Sequence, residues 1–104
     1  MRLLVMYDLP MTTLANKKSY QTFHKFLIKD GYDMVQFSLY SRLCNGQDMY
    51  EKHLLRLRKN APSRGNIRVV KITEKQYESM LFIVGSKTAQ ELLVIKQNKQ
   101  LMLF

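Results

Sequence analysis

Met1-Arg2-Leu3-Leu4-Val5-Met6-Tyr7-Asp8-Leu9-Pro10 is a short apolar run that stops on a carboxylate and then a proline. Such a run, bounded by a breaker, reads as a strand buried on both faces, near the middle of a sheet. Asp8 falls where that strand ends. Pro10 cannot donate to a ladder, so the chain must leave the sheet there. Strand ends that feed loops are where folds place chemistry. Asp8 is the first of only eight acidic residues in a chain with seventeen Lys and Arg. From this stretch alone it is either the cap of a turn or a metal ligand.

Working outward, residues 11–16 form a polar turn with several candidate caps, and helix character runs over 16–30 to a stop at Gly31. Tyr20, Phe23, His24 and Leu27 share one stripe, with Lys18, Lys25 and Lys29 roughly opposite. His24 has no ligand partner at metal spacing and reads as a packed side chain. Over 32–44 the chain alternates. Val35, Phe37, Leu39 and Leu43 share an apolar parity, while Gln36, Ser38, Tyr40 and Arg42 share a polar one. The run is long for one strand, so a tight turn or bulge within 38–41 is expected to split it. A second helix spans 47–60, with Tyr50, Leu54 and Leu57 inward, Lys52, Arg56 and Lys59 outward, and Arg58 beside them. Neither His24 nor His53 shows a carboxylate partner, so neither is assigned as a base. A strand rich in Ile and Val follows over 66–73. Thr73 and Gln76 then mark a short helix, with Tyr77, Met80, Leu81 and Val84 at helical spacing. The apolar end Leu101-Met102-Leu103-Phe104 is expected to add a strand at a subunit interface.

The order strand, helix, strand, strand, helix, strand predicts an α+β, ferredoxin-like fold over 1–85 with a C-terminal extension over 86–104. Its two helices cover one face of the sheet, so the other face calls for a second subunit, most economically as a homodimer. A length of 104 residues suits one domain, and 46% apolar content excludes disorder. The single Cys44 excludes a disulfide framework and a multi-Cys zinc site. With no membrane-length apolar run and no signal-peptide pattern at the start, the expected compartment is the cytoplasm and no membrane partner is expected. A net charge of +9 on so small a domain favours polyanions, nucleic acid first.

The chain resembles the small CRISPR-associated spacer-acquisition family named CRISPR-associated protein two. The resemblance rests on the first strand ending in Tyr7-Asp8, the stretch Met34-Val35-Gln36-Phe37-Ser38-Leu39-Tyr40-Ser41, the element order and the length. Gly65-Asn66-Ile67 through Thr73-Glu74-Lys75-Gln76 resembles members that accompany single-effector, dual-nuclease systems. The resemblance implies a homodimer that bridges integrase dimers and binds double-stranded spacer DNA. It also implies a metal-dependent endonuclease acting on single-stranded RNA or double-stranded DNA, with Mg2+ or Mn2+ held by Asp8 of each subunit. Ser38 matches a polar position near that site. Where the family often has arginines at the start of the first helix, this chain has Lys17 and Lys18. Lysine keeps the charge but loses the bidentate fork to phosphate.

One Asp8 alone is a poor magnesium site, whereas two copies with waters and a substrate phosphate suffice. The residues expected to meet nucleic-acid phosphates are Lys17, Lys18, Lys25, Arg42, Lys52, Arg56, Arg58, Arg64 and Arg68. Two other readings stay open. One is a free-standing, toxin-like endoribonuclease. The other is a non-catalytic ferredoxin-like RNA-binding module, which would need exposed aromatics on the open sheet face, with Tyr40 as the candidate.

Overall fold

A computed structural model of the chain describes residues 1–86. Four strands and three helices follow one another as β1 (Arg2–Asp8), α1 (Leu14–Lys29), β2 (Asp33–Gln36), β3 (Leu39–Leu43), α2 (Gln47–Asn60), β4 (Asn66–Ile72) and α3 (Glu74–Glu78). The sheet order is β2-β3-β1-β4, and every pairing is antiparallel. Helices α1 and α2 each connect two parallel strands with one strand between them, which makes the two interlocked split βαβ units of a ferredoxin-like sheet. The expected extension over 86–104, including its closing strand, lies outside the described residues save Ser86.

β1 is central, as its apolar run predicts, because it pairs with β3 on one side and with all seven residues of β4 on the other. α1 begins where Thr13 accepts a hydrogen bond from the Asn16 amide, two residues earlier than the sequence pattern places it. α2 matches its expected span. α3 is held at its start by a full capping box between Thr73 and Gln76. It ends at Glu78, so the expected helical spacing through Met80 and Val84 is not realised, and Met80–Val84 is exposed and irregular.

The core lies between the sheet and the α1–α2 layer. Leu3, Val5, Tyr7 and Tyr40 from the sheet meet Phe23 and Leu27 of α1 and Leu57 of α2. Tyr7 is the hub, stacked on Tyr40 at 5.9 Å and edge-on to Phe23 at 5.2 Å. Burial pushes the Tyr7 phenol well above its ordinary range, with the Tyr40 hydroxyl adding to it. Tyr40 is raised for the same first reason.

This core corrects the parity expected for the second strand region. Tyr40 is only 2% exposed and points to the helices, whereas Phe37, given core parity by the alternation, is 88% exposed. Leu39 and Leu43 share the far face with it or its flank. Two features explain the inversion. A bulge between Met34 and Gln36 breaks the alternation before the hairpin, and one extra residue exchanges the faces. Tyr40 also gains more than a leucine from the inward position. Its ring buries a large area, and its hydroxyl shares a 2.6 Å hydrogen bond with His24 Nδ1. Buried in this way, Tyr40 cannot serve as a stacking platform on the open face.

The face away from the helices is covered at one end only. Arg2 is buried there. It donates from Nε to Glu74 Oε1 at 2.7 Å and from Nη1 to Ser41 Oγ at 3.1 Å, and its guanidinium lies 4.0 Å over the Tyr77 ring. α3 therefore seals the Arg2 end. At the other end Met6 and Asp8 are exposed, as are Val70 and Leu43 along the face. β1 is thus buried on both faces over Arg2–Val5 but on one face beyond it.

Candidate active site and nucleic-acid interface

Asp8 closes β1 on this open face, directly opposite Asn66 of β4. Arg68, two residues further along β4, is paired with Met6 and so projects from the same face. The third wall is the β2–β3 hairpin. Its two-residue turn, Phe37-Ser38, is tied to β1 by the Tyr7 amide, which donates to the Ser38 carbonyl at 3.0 Å. Ser38 adopts φ +63°, a left-handed conformation that costs a non-glycine residue on the order of 1 kcal/mol. The outcome is a cleft of about 350 Å³ lined by Met6, Asp8, Gln36, Phe37, Ser38, Asn66 and Arg68 among others. Ser38, expected near Asp8, lines the same cleft.

A glycine fixes the back of this site. Gly65 has φ +96°, and a Cβ there would sit 2.7 Å from the Asp8 carbonyl oxygen and 2.7 Å from Leu9 Cδ2. The loop before β4 therefore runs against the backbone of Asp8 and Leu9 as closely as a peptide can.

The donors around Asp8 are carboxylate, amide and hydroxyl oxygens, a hard set suited to Mg2+ or Mn2+. Among the described residues no group of three His, Cys, Asp or Glu side chains could hold a metal ion. One chain thus offers a single carboxylate. This fits a hard divalent cation that keeps most of its waters, provided a second carboxylate or a phosphate completes the shell.

Apart from Arg68, which lines the Asp8 cleft, the basic residues expected to meet phosphates divide into three groups. Lys17, Lys18, Lys25, Lys52 and Arg58 are exposed on the helix layer. Arg64 lines a second cleft, of about 290 Å³, with Thr13, Asn16 and Ser19 at the start of α1. Arg42 and Arg56 have internal partners. Arg56 Nη2 lies 2.5 Å from Asp30 Oδ1, although half of its side chain stays in solvent. Arg42 donates from Nε to the Asp30 carbonyl at 3.0 Å and from Nη1 to the Leu43 carbonyl at 2.7 Å. Asp30 also accepts from His53 Nδ1 at 3.0 Å, with both side chains buried. His53 therefore does have a carboxylate partner, contrary to the sequence reading. The signal is faint, because the partners lie 23 residues apart, Asp30 at the C-cap of α1 and His53 within α2.

No helix among the described residues is long and apolar enough to cross a membrane. Residues 1–80 match the family model described as CRISPR associated protein Cas2. The chain is 50% identical over 91 residues to a protein of Acidovorax ebreus named CRISPR-associated endoribonuclease Cas2, an overlap covering 88% of this chain and 89% of that one. Proteins of the same name are similar in Treponema denticola, at 42% identity over 85% of this chain and 88% of the relative, and in Streptococcus mutans, at 38% over 84% and 80%.

Proposed function

This chain belongs to the Cas2 family of CRISPR-associated proteins, and on that premise we propose that it is a homodimeric, nucleic-acid-binding protein of CRISPR adaptation with metal-dependent endoribonuclease activity centred on Asp8. One observation carries the catalytic part. Asp8 is an exposed carboxylate without a side-chain partner among the described residues, set in a cleft at the open end of a half-covered sheet. A structural cap would be expected to bond the turn it stabilises. The relatives named as endoribonucleases supply the substrate class.

The uncovered face supports the dimer. Met6, Val70 and Leu43 are exposed on it, and Phe82 and Ile83 add apolar surface beyond α3. Apolar side chains on an uncovered sheet face are what a second subunit would bury. A twofold axis near its open end would bring a second Asp8 towards the first. The two carboxylates, waters and a substrate phosphate would then hold Mg2+ or Mn2+, which when bound supplies Lewis-acid activation of the phosphate and of a water. Net hydrolysis adds water across one P–O bond, with the hydroxyl going to phosphorus and the proton to the leaving oxygen. The exposed cations of the helix layer, with Arg64, would hold backbone phosphates without reading sequence. That surface supports the second part of the proposal, in which the dimer carries double-stranded spacer DNA between integrase dimers.

The test is Asp8→Asn in the full chain, assayed on single-stranded RNA with Mg2+ and on duplex DNA binding. Cleavage should fall by at least about 100-fold, the scale of losing a catalytic group, while the far-ultraviolet circular dichroism and duplex binding are kept. Undiminished cleavage would refute the assignment of Asp8. A monomer in sedimentation equilibrium would refute the paired site.

A further inference from the structure

The Asp8 cleft contains a second charge that the proposed site does not yet use. Arg68 is exposed in the cleft, and among the described residues its side chain has no hydrogen-bond or ion-pair partner. The absence is informative because Asp8, an unpartnered carboxylate, lines the same cleft. Asp8 faces Asn66, and Arg68 is the next residue of β4 on that face. The two side chains are therefore diagonal neighbours, on residues about 7–8 Å apart in an antiparallel pair, with the Cβ atoms somewhat closer. A long arginine side chain can cross that distance, yet no Asp8–Arg68 ion pair forms among the described residues, so both charges stay open to a ligand. A site of this size, in the range of about 300–1,000 Å³ for small-molecule clefts, admits a ligand group between them.

A group that would satisfy both is a phosphodiester. Its non-bridging oxygens match the planar guanidinium fork, and the same phosphate can complete the shell of a cation held on Asp8. The other cations cannot do this from their positions. Lys17, Lys18, Lys25, Lys52 and Arg58 project from the helix layer, on the far side of the sheet. Arg64 lines the other cleft, and Arg42 and Arg56 are held at Asp30. We infer that Arg68 grips the substrate phosphate beside Asp8, as a binding residue of the cleavage site distinct from the helix-layer cations that hold duplex DNA. This rests on the proposed nuclease reading, but it can fail separately.

The test uses the Asp8→Asn chain, so that binding is read without cleavage. Single-stranded RNA affinity is measured against salt in this background for Arg68→Ala, Arg68→Lys and the equally charge-reducing control Lys75→Ala. Lys75 lies on α3, outside both clefts. Arg68→Ala should weaken RNA binding about tenfold, as for one lost charge-assisted contact. It should also flatten the log–log salt slope by about 0.7, the value for one phosphate on a single strand. Arg68→Lys should restore the slope and part of the affinity, and duplex DNA binding should change no more than in Lys75→Ala. In the cleaving chain, Arg68→Ala should raise KM more than it lowers kcat. Equal losses in Arg68→Ala and Lys75→Ala, or equal losses on RNA and duplex DNA, would overturn the assignment. Either result would leave the role of Asp8 to its own test.

Discussion

Gly65→Ala tests whether the site depends on the close packing behind Asp8. Two terms add. At φ +96° an L side chain is strained, at about 1–2 kcal/mol. The new methyl would also lie 2.7 Å from the Asp8 carbonyl oxygen, a backbone atom that cannot rotate away. Overpacking of this kind costs about 1–3 kcal/mol. The lower entropy of the unfolded alanine chain offsets less than about 1 kcal/mol of this cost, because it acts through the unfolded state. The expected net loss is about 1–4 kcal/mol, and each kcal/mol lowers the melting temperature by about 4–8 °C in a domain of this size. Gly46→Ala separates the terms. Gly46 has φ +93° but nothing within 4 Å of its would-be Cβ, so it carries backbone strain alone. Urea unfolding of the two variants should differ by the packing term, about 1–3 kcal/mol. RNA cleavage, measured where both are folded, should fall only in Gly65→Ala, because only there is the Asp8 backbone displaced. Equal destabilisation with unchanged cleavage would refute the idea that this contact seats Asp8.

Removing the buried carboxylate in Asp30→Ala should cost about 3 kcal/mol, because it strands His53 in the interior while half-exposed Arg56 can turn to water. Chemical denaturation of Asp30→Ala and Asp30→Asn checks this, and a loss under about 1 kcal/mol would show the network to be dispensable. Stability should also fall at alkaline pH. Tyr7, Tyr32, Tyr40 and Cys44 are all raised by burial, so the folded chain holds these protons more tightly than the unfolded one. Their contribution is complete below the unfolded values, near 9 for the thiol and 10 for the phenols. It is lost above them by about 1.4 kcal/mol per pH unit per group. Urea midpoints should therefore be flat to about pH 8.5 and then drop steeply. Complete tyrosinate formation near pH 10 in protein that remains folded would contradict this.

Much of the fold is legible in the residues because its signals are local. Pro10 ends the first strand, Gly31 stops α1, and Thr73 with Gln76 caps α3, each by chemistry acting within a few positions. The stripe containing Phe23 and Leu27 predicts which side of α1 is buried. The helix expected to continue towards Val84 stops early because capping signals a start but not a length, and Met80–Val84 finds no core to pack against within the described residues.

The site is less legible. Asp8 stands out as the acid at a strand end in a basic chain. Its surroundings come from pairings that no local pattern encodes. Arg68 reaches Asp8 only through the β1–β4 register, across sixty residues of sequence. His53 and Arg56 meet Asp30 only when the two helices pack on the same face.

By itself the sequence determined the order and type of the main elements, the central place of β1, the single covered face and the positive field, since propensity, periodicity and charge are properties of short segments or of composition. Tertiary structure alone decided which face each residue of β3 presents, because alternation defines two faces without saying which is inside. It also decided that Tyr40 is core and Phe37 is not, that two of the basic residues serve Asp30, and that an arginine unpaired among the described residues stands beside Asp8. Those outcomes depend on strand register and helix packing, where a shift of one residue exchanges every neighbour.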